Sequence, residues 1–105
     1  MKLYIVVRSD LPPGLQTAQS CHALSEFAQE HPELYKEWKR DNNLVVLASP
    51  GKDALAKLAY DMTNRGVAFS MFTEPDLGGE LTAICIEPKG GRYLSTLPLA
   101  LRQAA

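Results

Sequence analysis

Seven side chains of this sequence have types and positions that could act on one substrate: Arg8, Asp10, Gln19, His22, Glu74, Asp76 and Thr82. Four of the seven, Arg8, Asp10, Gln19 and His22, lie close to one junction. Ile5-Val6-Val7 runs into Arg8-Ser9-Asp10-Leu11, then Pro12-Pro13-Gly14, then a stretch in which Gln19 and His22 stand three residues apart. Such a sequence reads as a buried strand, a tight turn, and a helix with the amide and the imidazole one turn apart on one face. A junction of this kind gathers polar groups at a strand's carboxyl end, beside the N–H-rich start of a helix, where open α/β sheets usually hold their ligands. An acid, an imidazole, an amide, a hydroxyl and a helix N-terminus suit hydrolysis or group transfer. His22 or Glu74 would activate water, with Asp10 as a further acid. Thr82 and the first N–H groups of the helix would steady an oxyanion. Arg8, Gln19 and Asp76 would contact the substrate, Arg8 through a phosphate.

Each residue also has a structural reading. His22 on a largely apolar helix fits a hydrogen-bonded boundary residue equally well. Gln19 could tie the helix to the first strand, Asp10 could shape the turn, and Arg8 could pair with Asp10. Glu74 and Asp76 on a loop could be solvated acids, and Thr82 an ordinary strand residue. Lys89-Gly90-Gly91-Arg92 resembles a phosphate-gripping loop, but it lacks the Walker spacing and falls at the far end of the last strand.

The elements that must position these groups follow from hydrophobic period and breakers. Leu3 to Val7 reads as a central strand buried on both faces. Ala18, Cys21, Leu24, Phe27 and Ala28 recur at helical spacing from Leu15 to about Gln29, and His31-Pro32 ends that helix. A second helix covers about Pro32 to Arg40, with Tyr35 and Trp38 as packing aromatics. Leu44 to Ala48 reads as another buried strand. Leu55, Leu58, Ala59 and Met62 mark an amphipathic helix that Gly66 ends in the left-handed region. Val67 to Phe72 and Leu81 to Glu87 are the third and fourth strands, and a short helix from about Gly91 to Leu97 follows. Leu97, Leu99 and Leu101 then alternate as an extended tail. The order is β-α-α-β-α-β-β-α. The helical crossovers require parallel neighbours. Thr73 to Glu80 is too short to hold a crossover helix, so the fourth strand runs antiparallel to the third and brings Thr82 to the edge that carries His22 and Asp10. The expected fold is a three-layer α/β/α sandwich with a four-stranded mixed sheet.

Totals narrow the class. The chain has 105 residues, enough for one domain over 1–105, and its 46% hydrophobic and 22% charged content is ordinary for a soluble globular protein. Its apolar runs are too short to span a bilayer and no leader pattern is legible, so a cytoplasmic setting with no membrane partner is expected. Eleven Lys and Arg against 12 Asp and Glu give a formal charge of −1. A phosphate-gripping protein is usually more basic, although a local patch can suffice. Cys21 and Cys85 have neither zinc spacing nor a Cys-x-x-Cys pair and read as small buried hydrophobes. No metal is expected, and the Pro12-Pro13-Gly14 turn lacks the glycine pattern of a dinucleotide site, so no organic cofactor is expected.

Val6-Val7-Arg8-Ser9-Asp10-Leu11, followed by Ala18-Gln19-Ser20-Cys21-His22-Ala23, resembles the opening of class II peptidyl-tRNA hydrolases, which begin with a Val-Arg-x-Asp-Leu strand and continue into an Ala-Gln-Cys-Ser-His-Ala helix. The similarity extends through Trp38, Leu44 to Pro50, Gly66, and Thr82-Ala83-Ile84-Cys85-Ile86-Glu87-Pro88. It implies a mixed four-stranded α/β/α domain that hydrolyses the ester joining a peptide to the 3′ end of tRNA. Asp10, Gln19, His22 and Thr82 occupy matching family positions. Two features depart from the pattern. The turn before the first helix is shorter than the family's glycine- and lysine-rich one, with no lysine between Leu11 and Tyr35 and Leu15 near the position of the lysine assigned to catalysis. Glu74-Pro75-Asp76-Leu77-Gly78-Gly79 replaces the Asp-Ala-Gly-Arg-Thr loop, with Glu74 nearest its aspartate, as in divergent relatives that carry the domain. Two functional readings follow: a peptidyl-tRNA hydrolase, with peptidyl-tRNA as partner, or a non-catalytic module that uses the same pocket to bind an RNA end, a small molecule or a protein. A homodimer fits either.

Overall fold

The computed structural model describes residues 1–102 and builds four strands and three helices. In chain order these are β1 (Lys2–Arg8), α1 (Pro13–Glu30), α2 (Pro32–Lys39), β2 (Asn43–Ser49), α3 (Lys52–Asn64), β3 (Phe69–Glu74) and β4 (Glu80–Ile86), with 3-10 turns at Pro75–Leu77 and Pro88–Tyr93. The sheet order is β2-β1-β4-β3. β1 and β2 are parallel, with Leu3 opposite Leu44 and Val7 opposite Ala48. β4 inserts between β1 and β3, antiparallel to both. The mixed four-stranded sheet and the reversed last strand are as the sequence implies.

Alternation along the strands divides the core into two layers. Leu3, Ile5, Val7, Ala83 and Cys85 meet Ala23 and Phe27 of α1 and Trp38 of α2 on one face. Val6, Ile84 and Ile86 meet Leu55 and Met62 of α3, with Leu94, on the other. Trp38 also donates its indole N–H to the Asn43 carbonyl at 2.6 Å, which fixes α2 against the start of β2. The result is three layers, α/β/α.

Several boundaries differ from the sequence reading. β3 begins at Phe69, two residues later than expected, because Val67 is spent on ending α3. Its N–H donates to the Met62 carbonyl at 3.0 Å while that of Gly66, at φ 67°, donates to Thr63 at 3.1 Å, a Schellman closure. The strand consequently extends to Glu74. β2 lies at the sheet edge, so Leu44 is 41% exposed and only the Leu47–Ser49 end is buried. The expected helix over 91–97 is a 3-10 segment at Pro88–Tyr93 instead. There the backbone approaches its neighbours too closely for a regular helix with side chains: a Cβ on Gly90 would meet Ile86 and Val67, and one on Gly91 would meet the Tyr4 ring. The following tail pairs with the β2 edge through Ala48 N–H to Pro98 and Ala100 N–H to Val46, both at 2.9 Å. Leu99 therefore points outward, 58% exposed, Ala100 packs inward, and Leu101, 52% exposed, borders an apolar cavity against α1.

Candidate active site

The carboxyl ends of β1 and β3 and the amino end of β4 form one end of the sheet, and the residues singled out in the sequence all lie there. The pleat divides them between its two faces. Along β1, Leu3, Ile5 and Val7 face α1, so Arg8 shares the α3 side with Tyr4 and Val6. Its buried guanidinium grips both oxygens of Asp10, from Nε at 3.0 Å and Nη2 at 2.8 Å. Nη1 donates to Glu80 Oε1 at 2.8 Å and to the Leu81 carbonyl at 3.2 Å. Lys52, the first residue of α3, reaches the other Glu80 oxygen at 3.3 Å. These charge-assisted bonds hold Asp10 below the usual carboxylate range through Arg8, and Glu80 likewise through Arg8 and then Lys52. They raise the Arg8 guanidinium in turn, chiefly through Asp10. The forked pair leaves Asp10 an ionised carboxylate fully engaged with its partner. Glu80 and Lys52 join this cluster although nothing in the sequence singled them out; Glu80 opens β4, opposite Glu74 of β3, and Lys52 opens α3.

Gln19, His22, Glu74 and Thr82 meet on the α1 face. Strict alternation on β4 would group Thr82 with Ile84 and Ile86, facing α3. It does not, because Phe72 pairs with Ala83 while Thr73 pairs with Leu81, leaving Thr82 as the extra residue of a β-bulge. A bulge re-aims a side chain in this way. The Thr82 hydroxyl turns to α1 and donates to Gln19 Oε1 at 2.6 Å, with both side chains fully buried. The orientation of the Gln19 amide is thereby set, and its Nε2 donates to Glu74 Oε1 at 2.9 Å. The second Glu74 oxygen accepts the Asp76 N–H at 3.1 Å. Glu74 is half-buried and held below the usual carboxylate range, first by Gln19, then by the Asp76 N–H, with His22 contributing through charge. His22 itself is exposed, its ring stacked on Phe72 at 4.4 Å between centroids and 17° between planes. Asp76 is exposed on the 3-10 turn beyond Glu74.

The helix that carries this face is turned relative to the sequence reading. Its buried positions are Gln16, Gln19, Ser20, Ala23 and Phe27, whereas Ala18 and Cys21 are exposed. The helical period is as expected but its phase is not, since a hydrophobicity pattern assigns the inward side to apolar residues. Here the first two turns bury amides and a hydroxyl. Gln16 makes the difference plain: its Nε2 donates to the Leu11 carbonyl at 2.7 Å and to that of Ser9 at 3.3 Å, pinning the turn that α1 leaves. Cys21, expected to be buried, instead lines an apolar cavity of about 220 Å³ beside Leu24, Val46 and Leu101. Among the described residues no group of three or more His, Cys, Asp or Glu is placed to hold a metal ion, and no helix is long and apolar enough to cross a membrane.

Comparison with known proteins adds a family to this geometry. Residues 1–99 match the family model described as Peptidyl-tRNA hydrolase PTH2. Among solved structures, a protein of unknown function from Agrobacterium tumefaciens strain C58 superposes with a TM-score of 0.68 over 93% of this chain and 96% of its own, at 13% identity. At that identity the likeness concerns the fold. No curated protein gives a significant match.

Proposed function

The chain belongs to the PTH2 peptidyl-tRNA hydrolase family, and from that premise we propose that it cleaves the ester between a peptide and tRNA on the α1 face of this sheet end. One observation carries the reading: an exposed imidazole lies on Phe72 beside Glu74, and Glu74 is held at both oxygens by Gln19 and the Asp76 N–H. In this reading His22 takes a proton from water as the water oxygen bonds to the ester carbonyl carbon. The tetrahedral intermediate then expels the ribose oxygen, which recovers the proton from His22. Glu74 stays ionised and stabilises the imidazolium, because its lowered pKa makes it a better electrostatic partner than a base. Thr82 and Gln19 are buried and act through Glu74, as positioning residues. Asp10 keeps Arg8 oriented within its own cluster, and the exposed Asp76 side chain is the rim contact for substrate.

The start of α1 serves a different part of the substrate. Eight residues separate Gly14 from His22, roughly 12 Å along a helix axis, whereas an oxyanion donor must lie within about 3 Å. The free N–H groups of Gly14 and Leu15 therefore suit an RNA phosphate better than the reacting carbonyl.

The non-catalytic reading draws on a different observation: Thr82 and Gln19 satisfy each other, and Arg8 is neutralised by Asp10 and Glu80. A pocket so saturated could bind without turnover. Release of peptide from an N-blocked aminoacyl-tRNA separates the two. The hydrolase reading expects release by the wild type and a large loss in His22→Ala and Glu74→Ala. No release above buffer at high protein concentration discards it, and full activity in His22→Ala removes that residue's role. Peptidyl-tRNA as partner, a cytoplasmic setting and a homodimer belong to the same proposal; sedimentation at the mass of one chain would remove the dimer.

A further inference from the structure

The opposite end of the sheet carries the other concentration of charge. Arg65 follows α3, and Lys89 and Arg92 lie in the Pro88–Tyr93 turn; with Val67, Pro88 and Tyr93 they line a groove of about 460 Å³. The Arg65 guanidinium sits 4.1 Å from the Tyr93 ring centroid and that of Arg92 5.4 Å from the same ring. Two guanidiniums thus share one aromatic surface, and a lysine stands beside them. The nearby carboxylates do little to neutralise the two arginines. Asp61 is held by Lys57 at 3.2 Å, and Glu87 accepts the Ala68 N–H at 2.6 Å and lies 3.8 Å from Lys89. Among the described residues neither arginine side chain has an ion-pair partner. Of the three cations Lys89 alone has a carboxylate beside it, so the two arginines, on a chain of net charge −1, repel each other unless a further anion joins them.

The adjacent glycines do not account for the cluster. Gly90 is required by contact with Ile86 and Val67, and Gly91 by contact with the Tyr4 ring. Packing therefore explains the two glycines but not the two arginines gathered on Tyr93 without a carboxylate partner among the described residues.

We propose that this groove is a second phosphate-binding contact, taking the backbone of the RNA whose 3′ end occupies the site on the α1 face. The identity of the polyanion rests on the hydrolase reading; the groove itself does not. Arginine forks suit phosphate oxygens, and guanidiniums held against the tyrosine ring are already ordered for them. A membrane surface fits less well. The large exposed apolar residues are Met1, Leu44, Tyr60, Met71, Leu99 and Leu101, none of which lines the groove to insert among acyl chains. The span is also suitable: a seven-residue strand such as β4 separates the two sheet ends by roughly 20 Å, less than one turn of a duplex stem.

The test measures binding of uncharged tRNA across a salt series, for the wild type, Arg65→Gln/Arg92→Gln and Arg65→Lys/Arg92→Lys. Peptide release from a short 3′-terminal oligonucleotide ester, too short to reach the groove, is measured alongside. The glutamine pair should bind tRNA about tenfold more weakly at low salt, with the slope of log K against log salt reduced by roughly 1 to 2. The lysine pair should recover that slope, and all three proteins should cleave the short ester alike. Unchanged slope and affinity in the glutamine pair overturn the proposal. So does a salt slope that stays reduced in the lysine pair, which assigns the arginines to packing on Tyr93. Groove-dependent binding to anionic vesicles without binding to tRNA would give the surface to a lipid headgroup. Groove-dependent tRNA binding with no cleavage by any form retains the groove and removes the hydrolase.

Discussion

Thr82→Val tests whether the bulge on β4 exists to hold the Gln19 amide. Valine keeps the shape of threonine and replaces the hydroxyl with a methyl group. The hydroxyl gives its proton to Gln19 Oε1 at 2.6 Å in a site from which both side chains exclude solvent. Its loss leaves a buried acceptor without a donor, at a cost of about 1–3 kcal/mol. For a chain of this size, each kcal/mol moves the melting midpoint by roughly 4–8 °C, so a fall of about 5–20 °C is expected. Gln19→Met removes the orphaned acceptor, and the doubly substituted protein leaves neither partner behind. Denaturant titrations of the four proteins should therefore give a coupling energy of about 1–2 kcal/mol, with the double variant more stable than the sum of single losses implies. Peptide release should fall in Thr82→Val through kcat rather than KM, because Glu74 is displaced while the exposed rim is untouched. A single variant within about 0.5 kcal/mol of wild type, or strictly additive effects, would refute the claim that the hydroxyl orders this site.

Three further outcomes follow from the same coordinates. An aromatic disulfide reagent should titrate one thiol rapidly in the native protein and two after denaturation, because Cys21 is exposed whereas burial pushes the Cys85 thiol up to about 12; two rapid equivalents would contradict that packing. Gly91→Ala should cost about 1–3 kcal/mol as its methyl group meets the Tyr4 ring, whereas Gly14→Ala, with open space around it, should be neutral or slightly stabilising in a thermal melt; the reverse order would contradict both environments. Asp10 and Glu80 have pKa values below their unfolded ones, so their stabilisation is complete above the ordinary carboxylate range and is lost as pH falls through the folded values. Stability should drop below about pH 4, and Asp10→Asn/Glu80→Gln should flatten that part of the denaturant-midpoint profile; an unaltered profile would show that Arg8 does not set it.

The sheet and its crossovers were legible because period and breakers decide them. The short Thr73–Glu80 connection required the reversed fourth strand, as observed, whereas the place of β4 between β1 and β3 came only from the structure. What the pattern could not convey was direction. Arg8 and Thr82 lie at the same sheet end, but strand parity sends one to α3, and a one-residue bulge sends the other to α1. A bulge has no sequence signature here, since Thr82 sits in the strand-like run Leu81 to Ile86 with no glycine or proline to mark it. The phase of α1 was hidden for a related reason: Gln16, Gln19 and Ser20 are buried because each finds a hydrogen-bond partner, and a hydrophobicity pattern does not register partners. The same blindness placed Cys21 inside. Glu74 and Asp76 were recognised as loop acids near the edge, while the capture of Glu74 by Gln19 required the folded chain.

The missing turn lysine changes the electrostatic problem for any RNA at this sheet end. Lys52 does come to the same end, yet on the α3 face and already engaged with Glu80. Arg8 and Lys52 thus stand against four carboxylates, Asp10, Glu74, Asp76 and Glu80, and His22 adds a cation only when protonated. A phosphate 10 Å from one uncompensated carboxylate loses about 0.4 kcal/mol even at the permittivity of water, and several such terms add. Binding energy for a long polyanion must then arise elsewhere, and the groove of Arg65, Lys89 and Arg92, whose two arginines have no ion-pair partner among the described residues, is placed to supply it. The consequence separates chemistry from capture. Raising salt from 50 to 200 mM should weaken KM for a full tRNA ester several-fold, as screened phosphate contacts are lost, and should leave KM for a short oligonucleotide ester unchanged or slightly improved. Equal salt sensitivity in the two substrates would mean that RNA is gripped at the reacting end after all, and that the carboxylates there are outweighed by the N–H groups of α1.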